Sequence, residues 1–460
     1  MHTGGSTAFL RRSELGARAA RPRVACDDAQ IPRTLEGNRK AAGRNETADL
    51  RHTAHMKISH QPTWVGARQK AYPQLRDDVT ADLAIIGGGL TGLLTAYLLS
   101  TNGKKVVVLE AGRLGSGATA YTTAFITQVI DTSLSDLIRM VGPQKTKSIW
   151  QAGEQAINRI ERIVKKEKID CEFQRCSARI YASSEKDYAK LVREHRAARR
   201  LGFATRLVKK NILPFEQYGF LEVKDQAKFH PLKFLSGVAE MVEASGGKIF
   251  EHSKALSLKE VPGSVTVKIA AGSVTAKDVI VATYAPFNNP RMGKYKKGMY
   301  SSYVFEIRVP EGIFTEGLYW DTESPYHYFR IDRRGTFDRM ILGGEDHRSE
   351  LPVSQKKFDA LKKYLAGFLG GRSYKILRKW IGAVLEPAGG LPLIGTYKPH
   401  QFAATAFSGN GMTYAMVSAL IFRDLILGQK NPWIHIFDRN LRPRRNTSNP
   451  RRKRKSSWNP

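Results

Sequence analysis

The chain has 460 residues, of which 42% are hydrophobic and 25% are charged. This balance is that of a globular protein, and at roughly 100–200 residues per domain the chain can hold two or three domains. No run of about 18 uncharged apolar residues occurs, so the sequence predicts no membrane span. Disulfides are not expected with three cysteines (Cys26, Cys171 and Cys176) in so long a chain, which favours a reducing, cytoplasmic location.

The formal net charge is +32, and part of it lies at the two ends. Residues 1–55 contribute +4 (10 Lys and Arg against 6 Asp and Glu), and residues 439–460 contribute +9 with no acid. Both segments are predicted to be disordered, as a basic leader and a basic tail. The remaining +19 favours anionic partners such as nucleic acid. A basic solvated surface is the stronger interpretation, because no basic helix carries interleaved aromatic residues.

A glycine motif interrupts an apolar, β-branched run near residue 87. Gly87, Gly89 and Gly92 form G-x-G-x-x-G between a predicted strand and a predicted helix, and residues 105–109 form a second apolar strand. Glu110 ends that strand, 23 residues after Gly87, where an acid meets the ribose hydroxyls of a dinucleotide. The pattern predicts a dinucleotide-binding βαβ unit, and the acid argues against the 2′-phosphate of NADP.

A segment rich in small and hydroxylic residues follows at 112–125 and is suited to lie against a flat cofactor. Beyond it, apolar periodicity predicts helices over 133–168, 185–201, 232–244 and 355–370. Apolar runs predict strands over 248–250, 261–269 and 274–281. Alternating aromatic residues across 300–345 predict an antiparallel sheet.

A second strand, glycine turn and helix lie near the C-terminal end. They are predicted over residues 402–406, 408–412 and 413–427. The N-terminal end of this helix can direct the positive end of its dipole at a group that becomes anionic.

Together these motifs resemble the FAD-dependent oxidoreductases of the D-amino-acid oxidase/glycine oxidase superfamily over about residues 79–438. The segments that carry the resemblance are 85–92, 107–113, 115–119, 281–283, 390–395 and 409–412. The resemblance implies an α/β fold with an α+β second domain, in which an antiparallel-sheet substrate domain is inserted into a Rossmann-type FAD-binding domain. The FAD-binding domain would comprise residues 79–150, 225–290 and 378–438, and the substrate domain residues 151–224 and 291–377.

The resemblance also implies roles in FAD binding. The motif Gly87, Gly89 and Gly92 would cradle the pyrophosphate, and Glu110 would hold the adenosine ribose. Arg113 would lie near the adenine end or the phosphates. Further implied contacts, from the adenine to the isoalloxazine ring, are Ala255, Thr119, Thr122, Thr123, Gly409, Gly411 and Met412.

Residues 121–127, 343–347 and 424–433 resemble more closely the branch of this superfamily that usually carries a C-terminal Rieske domain. Rieske clusters are held by paired Cys and His residues, and no cysteine follows Cys176. We therefore expect no Rieske cluster in this sequence. We expect the electrons to pass to oxygen or to a separate acceptor protein. Cys171 and Cys176 have no partners at zinc spacing, so no metal site is predicted.

One position departs from the family pattern. Amino-acid oxidases of the superfamily tend to have an Arg before the Pro of the strand that begins Trp-x-Gly, and that Arg binds the substrate carboxylate. Glu386 stands there, before Pro387, and Gly389 stands where an Asp is expected. This disfavours a simple amino-acid substrate. A carboxylate at this position could hold an amine, and a surface Glu beside a Pro is the alternative.

The leading hypothesis is oxidation of a C–N bond of a small amine or amino-acid-like substrate by hydride transfer to flavin. The candidate catalytic residues are Tyr328, His347 and Glu386. Tyr328 is alternatively an ordinary sheet aromatic, and His347 a loop histidine bonded to Asp346 or to backbone. An RNA-modifying flavoenzyme, favoured by the charge of +32, and a non-catalytic flavoprotein that assists assembly remain as alternatives.

Overall fold

The computed structural model describes residues 58–67, 69–287 and 296–438. The predicted leader and tail lie outside the described residues. The helices are α1 (Leu90–Ser100), α2 (Leu134–Val141), α3 (Pro143–Lys166), α4 (Glu185–Arg200), α5 (Pro231–Ala244), α6 (Gln355–Leu369), α7 (Gly411–Ile426) and α8 (Ile434–Phe437). Within the described residues, every helix is too short or too polar to span a bilayer.

The strands fall into two sheets. The strands of the first sheet are β1 (Asp78–Ile86), β2 (Val106–Leu109), β7 (Lys248–Phe250), β8 (Ser257–Val261), β9 (Ser264–Ile269), β10 (Gly272–Val281), β16 (Leu393–Lys398) and β17 (Gln401–Thr405). The strands of the second sheet are β3 (Phe125–Ile126), β4 (Gln174–Ala182), β5 (Thr205–Val208), β6 (Gly219–Lys228), β11 (Lys296–Val309), β12 (Gly317–Asp321), β13 (His327–Arg333), β14 (Asp338–Arg348) and β15 (Lys375–Pro387).

The first sheet has a parallel centre in the order β17-β10-β1-β2-β7. Antiparallel strands extend it, with β16 next to β17 and the β8–β9 hairpin next to β10. Strand β2 and the last four residues of β1 are buried throughout, as expected for apolar runs covered on both faces. Helix α1 is apolar on all sides and nearly all of it is buried, because it contacts both α5 and α7.

The second sheet is mainly antiparallel, in the order β15-β11-β14-β13-β12-β4-β6-β3, with β5 next to β6. Helix α6 packs on one face through Phe358, Leu361 and Leu365, which join a cluster that includes Phe329 and Leu342 of the sheet. The parallel sheet with its helices, together with the separate, mainly antiparallel sheet, confirms the predicted α/β fold class with an α+β second part. The predicted domain boundaries stay a prediction.

The periodic stretch predicted over residues 133–168 forms two helices. Gly142, with φ +84°, separates α2 from α3, and Pro143 occupies the first turn of α3. Proline suits the first turn of a helix because its missing N–H would have no intrahelical partner there, and glycine adopts the positive φ without strain.

A cluster of buried charged side chains is centred on Asp332 of β13. The carboxylate of Asp332 accepts hydrogen bonds from Lys228 at 2.7 Å, from Arg330 at 2.8 Å and from Arg339 at 2.7 Å. Lys228 also donates to Glu316 at 2.6 Å, and its side chain is 2% exposed. Burial disfavours the charged carboxylate, but the charges of Arg330, Arg339 and Lys228 hold the pKa of Asp332 well below its usual range.

We expect Asp332→Asn to lower the free energy of unfolding by about 3–5 kcal/mol, because three buried cations lose their shared carboxylate. Because folding depresses this pKa, the stabilisation is fully present above about pH 4, the ordinary range of an unfolded Asp, and is lost as the pH falls below it. Urea unfolding at several pH values measures both effects. The control is Asp359→Asn on the exposed side of α6, which should change stability by less than about 0.5 kcal/mol. An equal effect of the two variants would contradict the prediction.

Candidate functional site

The turn between β1 and α1 is built for a close backbone approach. Gly87 has φ +116°, and a Cβ there would lie 2.5 Å from the carbonyl oxygen of Ala282 at the end of β10. A Cβ on Gly92 would lie 2.0 Å from the carbonyl oxygen of Gly87, so the first turn of α1 packs directly on the glycine turn. Gly89 precedes α1 and has no side chain to cap it, and the N–H of Leu90 donates a long hydrogen bond, 3.4 Å, to the hydroxyl of Thr119. The other N–H groups of the first turn suit a pyrophosphate, with Thr119 beside them.

Glu110 lies beside this turn at the end of β2. Its carboxylate accepts hydrogen bonds from the backbone N–H of Gly88 at 2.7 Å and of Gly112 at 2.8 Å. These bonds fix the position of the carboxylate, and a carboxylate has about four acceptor sites. The remaining sites can accept hydrogen bonds from ribose hydroxyls, so the geometry fits the role that the sequence predicts for Glu110.

The predicted adenine-end residues are held by the same part of the fold. The guanidinium of Arg113 lies 3.1 Å from the buried carboxylate of Glu251, which also accepts hydrogen bonds from the N–H groups of Tyr72 and Leu114. Ala255 is buried in the apolar cluster that contains residues of β1 and β2. Arg113 is therefore oriented by a fixed acid, although its own side chain is largely exposed.

The threonine loop, residues 119–124, is held in place by hydrogen bonds to its backbone carbonyl groups. Consecutive carbonyl oxygens accept hydrogen bonds from three buried side chains: Trp380 donates to Tyr121 at 3.1 Å and Trp64 donates to Thr122 at 2.7 Å. Arg330 donates to Thr123 and to Ala124, at 3.2 Å each, and lies over the ring of Trp64 at 5.2 Å. We call Trp64, Arg330 and Trp380 the loop clamp. It fixes the loop that carries the predicted contacts Thr119, Thr122 and Thr123.

Sequence analysis missed Trp64, because it lies before the first predicted strand in a segment without a periodic pattern. A tryptophan in an otherwise polar segment was the one available signal. The side chain is fully buried and packs edge-on against His230 at 5.1 Å.

The second glycine turn leads into α7 and is bound to the loop after β3. The N–H of Gly409 donates to Asp131 at 2.8 Å, and the Asn410 amide donates to the carbonyl of Val129 at 2.8 Å. Thr413 exchanges two hydrogen bonds with the backbone of Thr127. The positive end of the α7 dipole, at Gly411 and the buried Met412, therefore lies next to residues 127–131.

The structure brings Tyr328 and Glu386 into one group with Asp131, Tyr326 and Asp346, which we call the acid–tyrosine cluster. Tyr326 and Tyr328 are stacked, with ring centroids 5.5 Å apart. Burial raises the pKa of Asp346 to about 7, with further contributions from the charges of Asp131 and Glu386. Asp131 keeps contact with solvent, yet the protein around it also desolvates its carboxyl and raises its pKa to about 6.

His347 does not join this cluster. Its ring stacks on Tyr303, with centroids 5.5 Å apart, on the face of the sheet that α6 covers. Its Nε2 atom contacts the carbonyl oxygen of Leu351 at 3.4 Å. A β-bulge on β14, where Glu345 has φ +57°, puts one extra residue opposite β11. The bulge turns His347 toward α6 and Asp346 toward Tyr328, so a catalytic role of His347 stays a prediction.

Asp321, Glu323 and His327 bring possible metal-ligand atoms within 4.8 Å of one another. The geometry fits an ion pair as well, because Nδ1 of His327 lies 3.2 Å from Asp321 and its Nε2 lies 3.4 Å from Glu345. Burial alone would lower the pKa of His327, but these two carboxylates raise it. Both ring nitrogens of His327 are thus engaged by carboxylates, which accounts for this group as an ion pair.

We expect Gly92→Ala to weaken FAD binding at least about tenfold, because overpacking against backbone costs about 1–3 kcal/mol. The ratio of bound flavin to protein after purification and the flavin titration of the apoprotein measure the effect. Gly367→Ala on α6 is the matched control, because a Cβ there meets no heavy atom within 4 Å. Normal FAD content in Gly92→Ala would contradict the assigned packing.

We expect Trp64→Phe to weaken FAD binding about tenfold, because the Thr122 carbonyl loses its indole donor, at a cost of about 1–3 kcal/mol. Quenching of flavin fluorescence on titration of the apoprotein gives the dissociation constant. Trp150→Phe is the matched control, because Trp150 is buried and its Nε1 has no partner among the described residues. Equal affinities in the two variants would show that the loop clamp does not support the cofactor site.

Comparison with known proteins agrees with this geometry. The chain is 31% identical over 373 residues to the "Putative Rieske 2Fe-2S iron-sulfur protein YhfW" of Bacillus subtilis (strain 168), a match that covers 80% of this chain and 72% of that protein. It is 26% identical to gamma-glutamylputrescine oxidoreductase of Escherichia coli (strain K12), covering 78% and 86% of the two chains.

The crystal structure of glycine oxidase from Geobacillus kaustophilus superposes with a TM-score of 0.67 at 16% identity, covering 78% of this chain and 98% of that one, which shows a shared fold. The family model "DAO: FAD dependent oxidoreductase" matches residues 82–425, which is most of the chain. The glycine turn, the acid after β2 and the turn before α7 all lie inside this match. The protein therefore belongs to the DAO family of FAD-dependent oxidoreductases and is an enzyme that uses FAD.

Proposed function

We propose that the enzyme oxidises a C–N bond of a small amine or amino-acid-like substrate by hydride transfer to FAD. The observation that carries this proposal is the acid–tyrosine cluster beside the N-terminal end of α7. Two matched proteins support it, since gamma-glutamylputrescine and glycine, for which they are named, both contain an amino group.

Different parts of the chain bind FAD, position the loop next to it and stabilise charge on it. The turn at Gly87 and the carboxylate of Glu110 hold the dinucleotide part of FAD, and the loop clamp fixes the threonine loop. When bound, FAD supplies the acceptor for the hydride. The N-terminal end of α7 presents a partial positive charge, which stabilises negative charge that develops next to it.

The carboxylates of the acid–tyrosine cluster can move a proton. An ammonium group must lose a proton before its C–H bond can give up a hydride, because the nitrogen lone pair stabilises the cation that forms. Asp346 and Asp131, whose pKa values are raised to about 7 and about 6, are suited to accept that proton near neutral pH. Tyr328 donates or accepts a hydrogen bond with Ser302 at 2.8 Å, which holds its ring in place.

Anaerobic reduction of the bound flavin tests the proposal. We expect the flavin absorbance near 450 nm to bleach when the purified protein is mixed with one class of a panel of alkylamines, diamines and amino acids. The control is the same panel with free FAD. Recovery of the absorbance on admission of air distinguishes oxygen from a separate electron-acceptor protein as the oxidant.

A flavin that stays oxidised with every donor contradicts the proposed reaction. Salt-sensitive binding of RNA by the same preparation would then favour the RNA-modifying alternative, since phosphate contacts weaken steeply with salt.

A further inference from the structure

We infer that the acid–tyrosine cluster is a binding site for an alkylammonium group, so that the substrate is an organic cation that carries no carboxylate next to the reacting amine. This inference names the substrate class of the proposed function and rests on it for the reaction. Binding of the cation is a separate property of the folded chain and can be tested by itself.

The acids of the site come from three elements that the fold brings together. Asp346 lies in the bulge on β14, Asp131 lies in the loop after β3, where it accepts the Gly409 N–H, and Glu386 lies near the end of β15. The charges of Asp131 and Glu386 disfavour ionisation of Asp346, and the opposing charge of His327 acts more weakly. A bound cation offsets this repulsion between like charges.

One acid atom is available to a ligand. The Oδ1 atom of Asp346 is buried and has no hydrogen-bond partner among the described residues. A buried carboxylate oxygen without a donor destabilises the fold, because it has lost its hydrogen bonds to water and has formed none with the protein. Asp346 shares a face of the sheet with Ser302 and Tyr328, and Ser302 is hydrogen-bonded to Tyr328. The unmatched acceptor therefore belongs to the cluster, where an ammonium N–H can satisfy it.

Aromatic rings complete the site. Tyr328 stacks with Tyr326 and meets the edge of Phe125 at 5.9 Å, and Trp320 lies 6.5 Å beyond Phe125. The negative faces of aromatic rings attract cations, and their apolar surface suits alkyl groups. Carboxylates together with tyrosine rings therefore match an alkylated or alkyl-bearing ammonium.

Arginine is the side chain that would bind a substrate carboxylate, and the arginine nearest to Tyr328 along β13 is engaged elsewhere. This residue, Arg330, donates its hydrogen bonds to the threonine loop, to Phe229 and to Asp332. The site thus presents negative charge to an incoming carboxylate, which repels it.

The test uses the purified holoenzyme and tert-butylammonium chloride as the probe, with tert-butanol as a neutral compound of similar shape and sodium acetate as the anion. The probe carries N–H donors and has no hydrogen on the carbon next to its nitrogen, so it can bind without reducing the flavin. Sodium chloride controls for ionic strength. Calorimetry measures binding without reference to the flavin, and the flavin difference spectrum reports whether the probe binds near the ring. We expect tert-butylammonium to bind at least about tenfold more tightly than tert-butanol or acetate.

The variant is Asp346→Asn, which keeps the shape and removes the charge, and we expect it to weaken tert-butylammonium binding at least about tenfold. Asp359→Asn, on the exposed side of α6, is the matched control and should leave binding unchanged. Tyr326→Leu is a second variant, expected to weaken the cation several-fold with little effect on tert-butanol. Unchanged FAD content and urea midpoint show that each variant is folded.

Acetate that binds as tightly as tert-butylammonium, or full affinity for the cation in folded Asp346→Asn, overturns the inference. The outcomes also distinguish a failure of this inference from a failure of the proposed function. Binding of the cation in an enzyme whose flavin no amine reduces supports the site and contradicts the reaction. Reduction by amino acids without cation binding supports the reaction and overturns the site.

Discussion

The backbone of residues 121–124 is the point at which the segment before β1 meets two strands of the second sheet. Its successive carbonyl oxygens are fixed by Trp64, Arg330 and Trp380, which come from the segment before β1, from β13 and from β15. A guanidinium can be buried there because Asp332 balances its charge and the carbonyls take its remaining donors. The loop that carries the predicted flavin contacts is therefore held by side chains that lie far from it in the sequence.

Strand β13 separates two electrostatic environments, one around Asp332 and one around Tyr328. Side chains on alternate residues of β13 share a face, so Tyr328, Arg330 and Asp332 follow one another along it. At the Asp332 end, acids and bases are paired and buried. At the Tyr328 end, burial raises the pKa of Asp346 to about 7, and the charges of Asp131 and Glu386 add to the rise. The first environment stabilises the fold, and the second is the one that we propose takes up a proton or a cation.

The position at which the sequence departs from the pattern of amino-acid oxidases lies at the second environment. The resemblance leads one to expect an arginine where Glu386 stands, and Arg330, on the neighbouring part of β13, belongs to the loop clamp. The glycine turn and the α7 turn lie within the residues that the DAO family model matches. Substrate choice is therefore expected to depend on a few side chains at the ends of β13, β14 and β15, which can change without disturbing the FAD-binding sheet.

The βαβ unit, the acid after β2 and the glycine turn before α7, and hence the FAD-dependent family, could be predicted from the sequence, because each depends on neighbouring residues or on a fixed spacing. Features that depend on contacts between distant residues could be seen only in the folded chain. Trp64 reaches Thr122 across 58 positions of sequence, and Asp131 meets the α7 turn across 278. The bulge at Glu345 decided that Asp346, rather than His347, shares a face with Tyr328. One inserted residue reverses the alternation of a strand, and the pairing that fixes it is invisible in the strand's own sequence.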